Sequence, residues 1–160
     1  MKNRTHKACV VFCLLICSCN NNTRLHDNIN TRASLPDSIQ LTVSGLKVLT
    51  TFINRKAGTT SVLYGNPLAL REAAGLNKEV AGGEIFTLVT WKQQPDTHWF
   101  GAQIPGDFLS AEQLKTDSAG QAVVLNYRRY EGNRFVPDSD TLYKSERIRF
   151  ILAQRPSVMP

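Results

Sequence analysis

The stretch Glu84–Gly106, EIFTLVTWKQQPDTHWFGAQIPG, decides the fold. Its first half, Glu84 to Trp91, sets Ile85, Thr87, Val89 and Trp91 against Phe86, Leu88 and Thr90. Successive strand residues point to opposite faces, so this segment offers apolar side chains to both. A strand of that kind belongs in the middle of a sheet covered on both sides. Gln93 to Thr97 is polar, with Pro95-Asp96 as a turn signal, and His98 to Ile104 reads as the returning strand. Gly101 in its middle suggests close approach of another group, and Pro105-Gly106 ends it.

Upstream, Leu41, Val43, Leu46, Val48 and Phe52 form a β-rich segment with Gly45 as a bulge or bend, surest over Val48 to Ile53. Asn54 to Gly58 is a polar turn, and Thr59 to Tyr64, β-branched and aromatic, is the antiparallel partner. Asn66-Pro67 then opens a short helix. The Asn side chain can accept from the orphan amides of the first turn, and Pro loses nothing at the first helical position. Leu68 to Ala74 are good helix formers, Gly75 is the stop, and Gly82-Gly83 is a turn into the central strand.

Downstream, Phe108 to Leu114 reads as a short strand or an irregular segment, and Asp117 to Gly120 as a turn. Gln121 to Tyr130 alternates as a strand and Glu131 to Asn133 turns again. Ser139 or Asp140 can cap a final helix that faces Leu142, Ile148, Ile151 and Leu152 to the core. Over 147–152 a strand competes, because charge and hydrophobe alternate at first; the helix is the preferred reading, and Pro156 stops it. The expected class is α+β, an antiparallel sheet of about five strands with one short and one longer helix.

The N-terminus reads differently. Lys2, Arg4 and Lys7 precede the apolar run Ala8–Cys17, ten residues long. That is too short for a bilayer core, which takes about 20 residues. A basic start, a short apolar run and then small residues make a secretory signal. Ile16-Cys17-Ser18-Cys19 resembles the bacterial lipoprotein signal, in which a small residue precedes a cysteine that becomes the lipidated first residue. Cys19 behind Ser18 fits; Cys17 behind Ile16 fits poorly. The plainer alternatives are an ordinary cleaved signal or a short uncleaved anchor. The expected organisation is a lipoprotein signal over 1–18, a tether over 19–36 and one domain over 37–160. The protein is then held to a bacterial membrane by an N-terminal lipid, in the cell envelope on its periplasmic or surface face.

That organisation reshapes the composition. Cys9, Cys13, Cys17 and Cys19 are the four cysteines of the chain, so the domain has no disulfide, thiolate ligand or cysteine nucleophile. Three of the 19 cations and none of the 13 anions fall in the first 18 residues, so the rest carries 16 cations against 13 anions. This is an ordinary surface and gives no reason to expect nucleic acid, whose binders cluster cations on one face.

Few constellations carry chemistry. His26 lies in the tether, so His98 is the one histidine of the domain. A structural zinc site takes about four nitrogen or sulfur donors, so no metal site is expected. Non-covalent haem through His98 would need just one axial histidine; the plain alternative is a histidine packing or capping the turn beside Trp99. A hydrolytic triad would have to pair His98 with Asp96, two residues away on an extended segment, and no Gly-x-Ser-x-Gly elbow occurs. Gly82-Gly83 has no Lys-Ser/Thr after it for a phosphate loop. Glu72, Glu79, Glu84, Asp96, Asp107 and Glu112 are scattered and read as solvated. No catalytic residue is assigned. Tyr64, Trp91, His98, Trp99 and Phe100 are the candidate lining of a small-ligand pocket, with Tyr127 near them; the plain alternative is that they are the core of a small sheet.

The run from Thr59 through Tyr64-Gly65-Asn66-Pro67, a short helix, a glycine turn and a strand leading into Trp99-Phe100-Gly101 resembles the cytochrome P-460 domain. In that family a hydrophobe-Tyr-x-Asn/Asp-Pro strand enters a helix, and a glycine turn leads to a strand that opens onto the haem pocket. The likeness covers roughly 46–130, and Gln154 to Pro160 looks like the tail of short lipoprotein members. It implies a small, mainly antiparallel, exported and often homodimeric protein. Members with haem oxidise hydroxylamine or bind nitric oxide. Their Cys-x-x-Cys-His attachment is missing here, so the resemblance implies a haem-less branch that acts as a small-ligand-binding or structural module. The alternative is a haem-dependent oxidoreductase with non-covalent haem on His98, acting on hydroxylamine or nitric oxide.

Overall fold

The computed structural model describes residues 29–75, 82–120, 122–132, 134–136 and 141–157. The signal sequence, Cys19, Glu79, Ser139 and Asp140 lie outside these. The chain divides into two units at Asn30–Thr31, and the second, Thr31–Pro160, carries the fold. It is a six-stranded antiparallel sheet in sequence order: β1 (Lys47–Asn54), β2 (Thr59–Gly65), β3 (Ile85–Pro95), β4 (Gln103–Ala119), β5 (Ala122–Glu131) and β6 (Arg134–Val136). Among the described residues three helices accompany it: α1 (Asp37–Val43), α2 (Pro67–Ala73) and α3 (Thr141–Leu152), with a 3-10 turn at Thr31–Ala33. The expectation of five strands and two helices is thereby corrected to six and three.

Each correction has a local reason. Leu41 and Val43 belong to α1 rather than to a strand. Ile39, Leu41 and Val43 fit a period of two, but Ile39 and Val43 are also one helical turn apart. Ile39 is buried and Val43 packs beside it, while Leu41 is 77% exposed, which only the helical period explains. Pro36 stands before the first turn, and Asp37 in it complements the helix dipole. The short β6 closes a hairpin on β5 after the turn at Gly132, a pairing too brief to announce itself in sequence.

The largest correction concerns Pro105-Gly106, which lies inside the 17-residue β4 and ends nothing. Trp91 pairs with Phe108 and Gln93 with Pro105, so two residues of β4, Gly106 and Asp107, oppose the single Lys92. Leu109 is a second extra residue, between the pairs Thr90–Ser110 and Trp91–Phe108. These are β-bulges, which bend a strand without ending it. Glycine suits that bulge: a Cβ at Gly106 would stand 3.0 Å from the Lys92 carbonyl oxygen, a tight contact. The expected strand His98–Ile104 is correspondingly shorter, because residues 96–102 form the loop between β3 and β4.

The central strand behaves as its two-faced pattern predicts. Phe86 and Leu88 enter one core with Leu49, Leu63, Leu114 and Tyr127, covered by Ala69 and Ala73 of α2 and Ile151 of α3. Val89 and Trp91 enter the other with Ala111 and with Ile39 of α1, flanked by Leu35, Tyr64, Phe108 and Tyr130. α3 places Ile148, Ile151 and Leu152 on the first core, so the helical reading of 147–152 holds. The cap of α2 also forms as read. Asn66 Oδ1 accepts from the Ala69 amide at 2.9 Å and from the Ile85 amide at 3.3 Å, and its Nδ2 donates to the Gly83 carbonyl at 2.8 Å. One side chain thus fixes both the start of α2 and the entry to β3.

Candidate functional site: a hairpin arm with an aromatic tip

The sheet does not end evenly. β3 pairs with β2 only as far as Lys92, and β4 pairs with β5 only as far as Ser110. Beyond those points Gln93, Gln94 and Pro95 pair with Pro105, Ile104 and Gln103; the Gln93 amide still donates to the Gly58 carbonyl at 2.8 Å, so the two-stranded arm proper starts at Gln94 and Ile104. Pro105 is tolerated there because a two-stranded arm leaves its outer backbone edge unpaired. The Asp96 amide donates to the Ala102 carbonyl at 3.0 Å and the Ala102 amide to the Trp99 carbonyl at 3.0 Å, which closes the tip. Gly101 has φ 80°, the left-handed conformation that glycine adopts without strain, and that lets the loop turn back.

The tip displays its aromatics outward. Trp99 is 72% exposed and Phe100 fully exposed. The His98 side chain is 66% exposed, with Nδ1 3.2 Å from the Thr97 hydroxyl and 3.4 Å from Asp96 Oδ1. Asp96 Oδ1 also accepts from the His98 amide at 2.7 Å, an Asx-type contact that fixes the turn.

The five residues read as one pocket therefore occupy two places. Trp91 is buried in the second core with Tyr64 packed against it, and burial raises the Tyr64 phenol above its ordinary pKa. His98, Trp99 and Phe100 stand on the tip of the arm. The Trp91 indole N–H donates to the Ala33 carbonyl at 2.9 Å and so holds the 3-10 turn on the sheet. Residues 31–36, assigned to the tether from sequence, thus include positions that pack on the second core.

At the root of the arm is a polar cleft of about 210 Å³, lined by Arg32, Lys92, Gln93, Gln94, Pro95, Gly106 and Asp107. Arg32 grips Asp107 with two of its three nitrogens, Nε at 3.1 Å and Nη2 at 2.6 Å. Those hydrogen bonds raise the Arg32 pKa and hold the Asp107 carboxyl below its ordinary range. The bulge at Gly106-Asp107 aims the carboxylate at Arg32, 75 residues away in sequence, and no local pattern announces that pairing.

A second charged cluster lies under α3. Glu112, 5% exposed, takes Arg147 Nε at 2.8 Å and Nη2 at 2.7 Å, and accepts from the Tyr127 hydroxyl at 2.7 Å. Burial, and then the hydrogen bond to Glu112, raise the Tyr127 phenol well above its ordinary pKa. Arg147 also lies 4.8 Å from the Phe150 ring centre. The carboxylate is saturated by structural partners, so this cluster pins α3 to the sheet and offers no reactive group. Reading Glu112 and Glu84 as solvated is corrected: Glu84 is fully buried, with the Thr116 hydroxyl 3.3 Å from Oε2. The signal for both was an acid inside an apolar alternation, Ile85-Phe86 after one and Ala111 and Leu114 around the other.

His98 stands on the exposed tip and not within a cavity. A haem pocket encloses the ring in apolar walls, whereas the His98 side chain is two-thirds exposed at the end of the arm. Among the described residues no three His, Cys, Asp or Glu side chains gather as a metal site, and no helix is long and apolar enough to cross a membrane. No family model and no curated protein matches the chain.

Proposed function

We propose that the protein is a lipid-anchored cell-envelope module that works by contact rather than by catalysis, with the hairpin arm as its contact surface. The observation that carries this is the arm itself. Both faces of the central strand β3 are covered by packed side chains, while the turned tip presents Trp99 and Phe100 to solvent. Exposed aromatic pairs on a fixed scaffold are typical of binding surfaces, where a ring contributes large contact area at small entropic cost. The anchor rests on the Ser18-Cys19 signal; among the described residues the first to pack on a core are Ala33 and Leu35.

Under this reading, a chain of cytochrome P-460-like descent lacks covalent haem and serves binding or structure. Any homodimer would form through an exposed surface such as the arm. The test is the mass of the mature N-terminus. A lipid-modified Cys19 peptide in the native host, and release of the Cys19→Ala chain from the membrane fraction, are expected. A mature chain with an unmodified N-terminus in the soluble fraction sinks the anchor. Purification after growth with added haem tests the oxidoreductase alternative: a stoichiometric Soret band that disappears in His98→Ala would establish it.

A further inference from the structure

We infer that the aromatic tip of the arm is a second membrane contact, in which Trp99 and Phe100 enter the interfacial layer of the bilayer that holds the lipid. The inference deepens the reading above and rests on the lipid anchor for its geometry. The chain enters the folded unit at Thr31, and Arg32, the next residue, lines the same cleft as Gln94 and Pro95 of the arm. From Gln94 to Trp99 is five residues, at most about 17 Å even at a strand rise of about 3.3 Å per residue. The tether root and the aromatic tip are therefore neighbours on one end of the sheet.

Residues 20–30 can reach at most about 40 Å even fully extended, at roughly 3.5 Å per residue. A lipid on Cys19 thus keeps the root of the arm within that distance of the bilayer. Thr31, where the tether joins the fold, thus lies at the end of the sheet that carries Trp99 and Phe100.

The chemistry of the tip suits that layer. An indole places an apolar body beside an N–H that headgroups or water can satisfy, and tryptophan is enriched at the membrane–water boundary for this reason. Phe100 supplies a purely apolar wedge. Asp96 is only 16% exposed and bonds back to the His98 amide, so the loop's one carboxylate is turned into the protein. Neither aromatic makes a ring contact or a core contact within the described fold.

The chain has two tryptophans, and Trp91, buried against Ala33, is the internal control. The full-length protein is reconstituted into vesicles of equal phosphatidylethanolamine and phosphatidylglycerol, with bromine on the upper acyl carbons. Wild type should lose about half of its emission, the share of one tryptophan at the interface. Trp99→Phe, which retains only Trp91, should be quenched hardly at all. Equal quenching of the two proteins overturns the proposal. So does an unquenched wild type, or one whose tip is crosslinked to an envelope protein instead. The mass of Cys19 in the same sample separates the two ideas. Lipid present without quenching removes the tip contact and leaves the anchor standing. Lipid absent with Trp99 quenched on added vesicles removes the anchor and supports the tip.

Discussion

Replacing Arg147 by Met removes both guanidinium bonds to Glu112 and keeps an unbranched apolar stem to pack beside Phe150. Glu112 is then a buried carboxylate that keeps, among the described residues, the hydrogen bond from the Tyr127 hydroxyl. Removing one member of a buried ion pair costs about 3–5 kcal/mol, most of it the desolvation of the charge left behind. The Arg147 side chain is 26% exposed, so water enters as it leaves, and the lower end applies: about 3 kcal/mol. Urea unfolding at neutral pH reads this as a fall in midpoint of roughly 1.5–2 M at an unchanged slope, for a slope of about 1.5–2 kcal/mol per M. Replacing all three groups, Glu112→Leu with Tyr127→Phe and Arg147→Met, exchanges the network for apolar volume. That should return stability to within about 1 kcal/mol of wild type, since a buried pair is seldom worth more than its apolar replacement. A loss under about 1 kcal/mol for Arg147→Met alone would show that Glu112 is not effectively buried. A triple variant weaker than the single one would refute the desolvation argument.

Three other outcomes follow from named contacts. Asn66→Ala deletes the bonds to Ala69, Ile85 and Gly83 and should cost about 1–2 kcal/mol in thermal or urea unfolding, with the loss centred on α2 and the start of β3 by hydrogen exchange. Tyr127 has a raised pKa, so its contribution is complete below the ordinary phenol value near pH ~10 and fades as pH rises beyond it. Tyr127→Phe should flatten that alkaline limb of the stability curve, and an unchanged limb would count against it. Asp107 has a depressed pKa, so its contribution is present above the ordinary carboxylate range and is lost as pH falls below about 3.9 through its folded value. Asp107→Asn should remove this acid sensitivity and speed exchange of the Trp91 indole proton. Salt should imitate it, because the pair with Arg32 is exposed.

The sequence by itself determined the central strand, the β1–β2 hairpin, the Asn66-Pro67 helix start and the final helix. In each, a local rule was in force: a two-faced apolar run, a polar turn with Gly58 at φ 62°, a cap with its proline, an apolar stripe at Ile148, Ile151 and Leu152. Only the tertiary structure decided α1, because Ile39 and Val43 satisfy both periods until Trp91 and Val89 show which face is buried. Only it decided that Pro105-Gly106 is a bulge, because a bulge is defined by the facing strand: Lys92 stands opposite both Gly106 and Asp107. The same holds for the site. The stretch 84–106 drew attention through its aromatics, but their division between core and tip depends on where β2 and β5 stop pairing. The pairings Arg32–Asp107 and Glu112–Arg147 join residues 75 and 35 apart in sequence. Charge complementarity over such separations has no periodicity, so it exists only once the chain has folded.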